Sequence, residues 1–194
     1  MFTQAEAFNS SINGWDASNV TNMMSMFAQA TSFNQPLNNW NTSSLQILNA
    51  TFYGATSFNQ PLDNWDVSNV VTMFIMFGGN SGLSTTNYDA ALIAWSNQTL
   101  QPSVAFDAAS SKYCNSSVER ASIISTYSWT ITDSGQECPE LEVNTVDPTN
   151  LNASTVTLNG NNSPLGVAER GIDYGLDTNY GQSSEDISAP NYAY

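Results

Sequence analysis

The sequence predicts an α/β solenoid of 25-residue coils, closed by an α+β cap and followed by a short β segment. Matched apolar residues recur every 25 positions through residues 1–79. After Phe77 this periodicity stops, and short helix-like and strand-like patterns replace it through residues 80–138. Residues 139–194 are acidic and contain alternating polar and apolar stretches. These three ranges are the predicted domains.

The repeat consists of aligned sets of apolar side chains. A unit of 25 residues cannot bury its own apolar face, whereas stacked units bury it in one continuous core. So many matched positions over three periods exclude chance. The sets are Phe2, Phe27, Phe52 and Phe77; Phe8, Phe33 and Phe58; Ile12, Leu37 and Leu62; Trp15, Trp40 and Trp65; Val20, Leu45 and Val70; Met23, Leu48 and Met73; and Ala5, Ala30 and Ala55.

Each unit is predicted to join an extended stretch, a turn, and a short helix or helical turn. Pro36 excludes a helix interior from residues 33–37, and Asn38-Asn39 then favours a turn. An apolar stripe with helical spacing follows, after a serine placed where a helix N-cap belongs. In the first unit these residues are Ser18, Val20, Met23, Phe27 and Ala30.

Polar residues that recur at the turns are the candidates for a ligand-facing surface. Asn9, Asn34 and Asn59 share one position, which suits either a side-chain ladder between coils or a row that faces a ligand. The residue directly after the tryptophan of each repeat unit suits either a turn or capping role, or metal ligation. The candidate ligand-facing residues are Asn34, Asn59, Asn39, Asn64, Asp16 and Asp66.

The segments SFNQPLNNWNTSSL and SFNQPLDNWDVSNVVTMFIMF closely resemble the roughly 25-residue repeat of BspA-like bacterial surface proteins. The resemblance covers residue 1 to about residue 79. It implies right-handed, leucine-rich-repeat-like coils in a secreted or surface-anchored protein associated with adhesion. The second unit departs from the pattern at Asn41, where the others have Asp, and at Thr51, where they have Met. The resemblance supplies no ligand, because function depends on sites rather than on folds.

The segment after the repeats predicts a cap of two helices and two strands. Asn87 is the expected N-cap of a helix, and Val104 with Phe106 indicates a short strand. This block resembles the segment that closes such repeat arrays in secreted Bacteroidetes proteins. Trp95 and Trp129 are expected in the core rather than on a carbohydrate-stacking platform. The apolar positions of the first helix are Tyr88, Ala91, Leu92 and Trp95; those of the second are Val118, Ala121 and Ile124 or Ser125; those of the second strand are Trp129 and Ile131.

Cys114 and Cys138 are expected to form a disulfide that staples the cap. A bridge that closes a loop of roughly 25 residues contributes about 3 kcal/mol in the chain-entropy model. Metal binding is the competing interpretation, but two thiols without histidine do not make a normal zinc site.

Residues 139–194 predict a linker and an incomplete β domain. Strands are expected at residues 154–160 and 166–176, and their pattern resembles the first strands of a fibronectin type III-like β-sandwich. Such a sandwich needs about 100 residues, more than this segment contains. The stretch after Gly181 is poor in apolar residues and is expected to be ordered by a partner.

Composition excludes several classes of function. The formal net charge is -14, which disfavours nucleic acids and anionic membranes as partners. No run of about 18 apolar residues exists, so no direct membrane span is expected. Met1 and Phe2 fall inside the repeat, so we expect the chain to be part of a longer chain or assembly.

The sequence predicts no enzyme and no cofactor. It contains no histidine, the commonest general base and metal ligand, and its repeat carboxylates Asp16, Asp63 and Asp66 lie at predicted turns. The Asp- and Asn-rich turns are compatible with structural calcium, which takes oxygen ligands.

The expected function is an adhesion or recognition module, extracellular or on the outer cell surface. Its expected partners are other cell-surface proteins, matrix proteins or glycans. The alternatives are a passive spacer or envelope-assembly component, and a carbohydrate-binding accessory module of a larger secreted protein. The last alternative requires solvent-exposed aromatic rings aligned on one face.

Overall fold

The computed structural model describes residues 1–138 and the strand residues 171–174 and 182–185. The chain divides into two units, Met1–Pro139 and Glu140–Tyr194. The helices and strands are α1 (Thr85–Ser96), β1 (Ala105–Asp107), α2 (Ser117–Tyr127), β2 (Thr130–Thr132), β3 (Gly171–Tyr174) and β4 (Gln182–Glu185).

The 25-residue units are built from consecutive turns, and the short helix expected in each of them is absent from residues 1–84. In the first unit the Met26 N–H donates to the Met23 carbonyl, which closes one tight turn. Ser25 and Gln29 have left-handed backbones, with φ of 55° and 58°. An α-helix cannot pass through such residues, so the helical spacing of the apolar residues here reflects a chain of turns.

Adjacent units lie side by side and in register. Along one segment of each unit, every second backbone N–H donates to a carbonyl of the next unit, and isolated parallel bridges join Asn22 to Ile47 and Ile47 to Thr72. Between the first two units the donors are Met23, Ser25, Phe27 and Gln29, and the acceptors are Ile47, Asn49, Thr51 and Tyr53, at 2.6 to 2.9 Å. The same pattern joins Leu48, Ala50, Phe52 and Gly54 to Thr72, Phe74, Met76 and Gly78. These contacts agree with stacked coils, while the solenoid and its right-handed sense stay predictions.

Two stacks of phenylalanine rings form the core of the repeats. The rings of Phe27 and Phe52 are parallel with centroids 5.6 Å apart, and those of Phe33 and Phe58 are 5.8 Å apart. All four side chains are buried. Because burial of a phenylalanine contributes about 1.5–3 kcal/mol, these stacks are a large source of stability.

Two of the three tryptophans of the repeat are buried in its core. Trp40 and Trp65 are 4% and 0% exposed, as predicted, whereas Trp15 is 46% exposed and its predicted burial is wrong. The indole N–H of Trp40 donates to the Ile12 carbonyl at 3.0 Å, so a tryptophan packs against the unit before its own. No described residue covers Trp15 in this way.

The cap continues the contacts between units. The parallel bridge from Met73 to Phe106 makes β1 the next segment after the third unit, and β2 pairs in parallel with β1. The indole N–H groups of Trp95 and Trp129 donate to the carbonyls of Leu62 and Gln101. Residues 1–79 and 80–138 therefore share one core, although the sequence repeat ends between them.

Two details of the predicted cap helices are wrong. The N-cap of α1 is Ser84, whose side chain accepts the N–H of Asn87, and Asn87 itself lies in the first turn of the helix. In α2 the buried residue is Ile123, while Val118 is highly exposed. Arg120 bonds to Asp133, so the side of α2 that carries Arg120 and Ile123 faces inward and Val118 lies on another side.

In the C-terminal compact unit, Glu140–Tyr194, β3 and β4 pair antiparallel. Gly171 lies opposite Glu185, and Tyr174 lies opposite Gln182. β3 falls within the predicted strand 166–176, and β4 falls in the stretch expected to need a partner. The predicted strand 154–160 lies outside the described residues, and the fibronectin type III-like assignment stays a prediction. No helix in the described part of the chain is long and apolar enough to cross a membrane.

Candidate binding surface

A row of side-chain amides crosses all three repeat units and reaches the cap. We call it the amide row. It includes both Asn34 and Asn59, which the sequence proposes as ligand-facing residues. Its members are Asn9, Asn34, Asn59, Gln35, Gln60 and Asn87.

Each rung of the amide row is built around one asparagine oxygen that accepts two hydrogen bonds. The Asn34 Oδ1 accepts the backbone N–H of Asn59 at 3.0 Å and the side-chain amide of Gln60 at 2.9 Å. The Asn9 Oδ1 accepts the equivalent groups of Asn34 and Gln35 at 2.9 and 3.0 Å. The row is therefore the side-chain ladder that the sequence offered as one of its two interpretations.

The cap supplies the third rung. The Asn59 Oδ1 accepts the backbone N–H of Ser84 at 2.9 Å and the side-chain amide of Asn87 at 3.0 Å. Asn87 thus takes the role of the glutamine in the earlier rungs. The sequence does not reveal this, because Asn87 lies in a different local structure and 28 residues from its partner.

Within residues 1–138, half of every amide in the row has no hydrogen-bond partner. The Nδ2 atoms of Asn34 and Asn59 and the Oε1 atom of Gln60 have no hydrogen-bond partner among the described residues. Asn59 is exposed, and Asn34 and Gln60 are half-buried, so this row lies at the surface.

The phenylalanine rings next to the rungs are regularly stacked. Phe8, Phe33 and Phe58 directly precede the three asparagines of the row, and their ring centroids are 5.6 and 5.8 Å apart. The row therefore follows these stacked rings, with one rung for each repeat unit.

Other predicted turn residues lie outside this row. Asn39 and Asn64 are exposed at the turn before the tryptophan, and the Asn39 N–H donates to Asn13 Oδ1 at 3.1 Å. Asn39 lies next to a second polar contact between units, in which Asn13 Nδ2 donates to Asn38 Oδ1 at 3.4 Å.

Asp16, Asn41 and Asp66 act in local turns. Asp66 Oδ1 accepts both the N–H and the hydroxyl of Ser68, at 3.0 and 2.6 Å. Hydrogen bonding by Ser18 holds the pKa of Asp16 below its ordinary value. The expected serine N-caps are therefore wrong, since the serines donate to the preceding acidic or amide side chain. Among residues 1–138 no cluster of three acidic or cysteine side chains could hold a metal, and structural calcium stays a prediction.

A second surface, which the sequence analysis missed, carries exposed apolar side chains beside the Asn22, Ile47 and Thr72 bridges. We call it the bridged face. Met24, Val71 and Phe74 are 52% to 58% exposed there. The signal was present, because Val71 and Phe74 stand at repeat positions that Thr21, Gln46 and Asn49 fill with polar residues.

Charged residues of the cap serve its packing. Asp133 accepts the hydroxyl of Tyr88 at 2.8 Å and pairs with Arg120 at 2.7 Å. Burial, reinforced by the charge of Asp133, raises the pKa of Tyr88. Burial lowers the pKa of Arg120, but Asp133 outweighs this effect and raises it above its ordinary value.

The disulfide lies at the edge of the cap and joins Cys114 to Cys138. An ion pair between Lys112 and Glu137 and a parallel bridge between Tyr113 and Gln136 hold the same two segments together. Beside it is an open groove of about 450 Å³ lined by Thr85, Thr86, Asp89, Ala90, Ile93, Cys114, Asn115 and Glu137.

Residues 1–95 match a protein family. Its description is "Mycoplasma protein of unknown function, DUF285". The match extends beyond the three repeat units to Trp95, whose indole bonds to the third unit. The N-terminal half of this chain is thus similar to a bacterial family. No curated protein and no solved structure matched the chain.

Proposed function

We propose that this chain is a non-catalytic adhesion or recognition module of a bacterial protein that acts on the outer cell surface or outside the cell. The observation that carries the proposal is the amide row. Its rungs repeat one donor and one acceptor from one repeat unit to the next, which suits the binding of an extended partner. Repeat proteins use such continuous surfaces for binding.

The use of the carboxylates supports a role without catalysis. Asp89, Asp107 and Asp133 are all acceptors in hydrogen bonds that fix loops or helices of the cap. The chain also lacks histidine. Catalysis by general acid and base would need a carboxylate free to exchange a proton with a substrate.

The disulfide and the similarity to a bacterial family support the proposed location. Disulfides form and persist in oxidising environments, which for bacteria are the periplasm and the exterior. Cys114 is buried, so the bond is part of the packed cap.

Labelled full chain applied to bacterial cells, animal cells and immobilised matrix proteins tests the proposal. We expect saturable binding to at least one of them, measured by flow cytometry or surface plasmon resonance. Asn34→Asp and Phe74→Ser would then assign the binding to the amide row or to the bridged face. Absence of saturable binding by the folded chain to all of these targets would contradict the proposal.

A passive spacer is the second candidate. It is favoured by the internal use of the asparagine oxygens, which already hold the units together. A spacer predicts that Asn34→Asp and Phe74→Ser leave every binding measurement unchanged, whereas a recognition module loses binding in one of the two variants.

A further inference from the structure

We propose that one end of the repeat stack is a docking surface for a further unit of the same 25-residue repeat, presented by another polypeptide. We call this surface the open end, and it consists of Trp15, Thr21, Asn22 and Met24. This inference rests on the proposed recognition function, for which it names the partner.

The open end presents unpaired polar groups on exposed residues. Within residues 1–138, no hydrogen bond is made by the backbone N–H of Thr21, the carbonyls of Asn22 and Met24, or the indole N–H of Trp15. Trp15 and Met24 are 46% and 52% exposed, and Thr21 and Asn22 are exposed as well. A parallel segment can therefore pair here, as at the edge of a sheet.

The interface between the second and third units shows how such groups are paired. The residues that stand two repeat lengths after the open end are Trp65, Val71, Thr72 and Phe74. All four bond to the second unit: Trp65 Nε1 donates to the Leu37 carbonyl at 3.3 Å, the Val71 N–H donates to the Gln46 carbonyl at 2.9 Å, and the carbonyls of Thr72 and Phe74 accept the N–H groups of Leu48 and Ala50 at 3.0 Å. The open end is thus equivalent to a surface that binds a repeat unit elsewhere in the chain.

The exposure of the tryptophans shows what a docked unit would cover. Trp40 and Trp65, each with a unit packed against it, are 4% and 0% exposed, whereas Trp15 is 46% exposed. A unit on the open end would bury this indole as well. Removal of its apolar surface from water would add to the hydrogen bonds of the contact.

The set of contacts favours a whole unit over an isolated extended peptide. A peptide strand can supply the two N–H groups that Leu48 and Ala50 donate. The carbonyl over the indole comes instead from Leu37, and a further contact comes from Phe33, whose ring stacks on that of the next unit with centroids 5.8 Å apart. Only the fold of a unit brings these groups to one side, so a strand alone would leave Trp15 uncovered.

Charge favours a neutral unit over a second copy of the open end. Glu6 and Asp16 of the first unit are exposed, and residues 1–111 contain no lysine or arginine to offset them. Two copies that met at their open ends would bring these like charges together. Residues 27–50, which include every group that binds the third unit in the contacts above, contain no charged residue.

A synthetic peptide with the sequence of residues 27–50, added to the full chain, tests the inference. The peptide carries Trp40→Phe, so all tryptophan emission comes from the chain. This tryptophan packs against the unit before its own and takes no part in the expected contact. We expect saturable binding that lowers the acrylamide quenching of Trp15 to the level of the four buried tryptophans. A shuffled peptide of the same composition should neither bind nor protect Trp15, and equal effects of the two peptides would overturn the proposal.

Calorimetric titration of two variants locates the bound peptide. Trp15→Phe should weaken binding about fivefold, the effect expected for one lost hydrogen bond. Val118→Ser is the control, because Val118 is 73% exposed in α2 of the cap, and it should leave the affinity unchanged. Equal affinities of the two variants would contradict docking at the open end. Thermal melting verifies the fold of each variant.

A fused unit provides a second measurement, because tethering raises the effective concentration of the unit at the open end. Residues 27–51 with Trp40→Phe are joined in register before Phe2, in place of Met1, and a shuffled extension is the control. We expect the fused unit to protect Trp15 from acrylamide. If Trp15 is quenched equally in the two fusions, the docking surface is refuted. Protection in the fusion without any peptide binding would refute a separate polypeptide as the partner.

These outcomes can be distinguished from failure of the recognition function. Cell binding that persists in Trp15→Phe, together with no peptide binding, would refute the repeat unit as the partner. It would leave recognition intact on the amide row or the bridged face, which Asn34→Asp and Phe74→Ser separate.

Discussion

Two positions in each repeat unit have a left-handed backbone. At the first, φ is 61° for Gln4, 58° for Gln29, 66° for Gly54 and 59° for Gly79; at the second it is 55° for Ser25, 54° for Ala50 and 46° for Ile75. These residues reverse the local direction of the chain, so that alternate N–H groups point to the next unit. Glycine adopts this conformation without steric cost, whereas other residues are strained in it.

Gln29→Gly is therefore expected to raise the free energy of unfolding by about 0.5–1 kcal/mol. The Gln29 side chain is exposed, so little packing is lost. Gln46→Gly is the matched control, because Gln46 is also exposed but its backbone is not left-handed, and it should lower stability by about 0.5–1 kcal/mol. Urea unfolding measures both, and effects of the same sign would contradict the argument.

Tyr88 is expected to make stability fall at alkaline pH. Its pKa in the folded chain is raised above the ordinary value of 10.0, first by burial and then by Asp133. Above about pH 10 the unfolded chain loses the phenolic proton of Tyr88, while the folded chain keeps it. The free energy of unfolding therefore decreases as pH rises.

Below pH 10 the proton is bound in both states and the contribution is fully present. Tyr88→Phe should remove this dependence, at the expense of one hydrogen bond to Asp133. Urea midpoints measured at about pH 9 and about pH 11 should converge more closely in the variant than in the wild type. An unchanged slope would show that Tyr88 ionises equally in both states.

At the scale of elements, Asp89 joins the two helices of the cap. It lies in α1, is buried, and accepts the backbone N–H groups of Cys114, Asn115 and Ser116 at 3.0 to 3.2 Å. The Ser116 hydroxyl adds a bond of 2.6 Å. These residues lead directly into α2, so one carboxylate sets where the second helix begins.

Asp89→Asn is expected to lower the free energy of unfolding by about 2–4 kcal/mol, because an amide nitrogen would face backbone donors in a buried site. Asp107→Asn serves as the comparison, since Asp107 Oδ1 accepts a single backbone bond, from Ala109, and it should cost less than about 1 kcal/mol. Equal losses in chemical denaturation would argue against the role of Asp89.

At the scale of the molecule, each tryptophan from Trp40 onward packs against a preceding segment of the chain. Trp40, Trp65, Trp95 and Trp129 all donate their indole N–H to a carbonyl 28 or 33 residues earlier. The cap thus continues the packing of the repeats although its local structure differs.

Trp15 is expected to account for most of the fluorescence that acrylamide can quench. Trp15→Phe should leave the remaining emission strongly protected, because the other four indoles are buried. Trp40→Phe should keep the quenchable component of the wild type. Equal quenching in the two variants would contradict the observed difference in exposure.

The sequence by itself determined the 25-residue register and most of the buried set. Phe27, Phe33 and Trp65 could be assigned to a core because apolar residues at a fixed interval have no other place to be buried. The net charge and the absence of histidine likewise follow from composition alone.

Tertiary structure alone decided the local geometry and the candidate site. Whether residues spaced by three and four form a helix depended on left-handed residues whose N–H groups bond to the next unit. Which half of Asn34 remains free depended on Asn59 and Gln60, which are 25 and 26 residues away. The periodicity of apolar residues in the sequence reflects burial, which is averaged over a whole face of the structure. A hydrogen bond requires instead that particular atoms from distant segments come together.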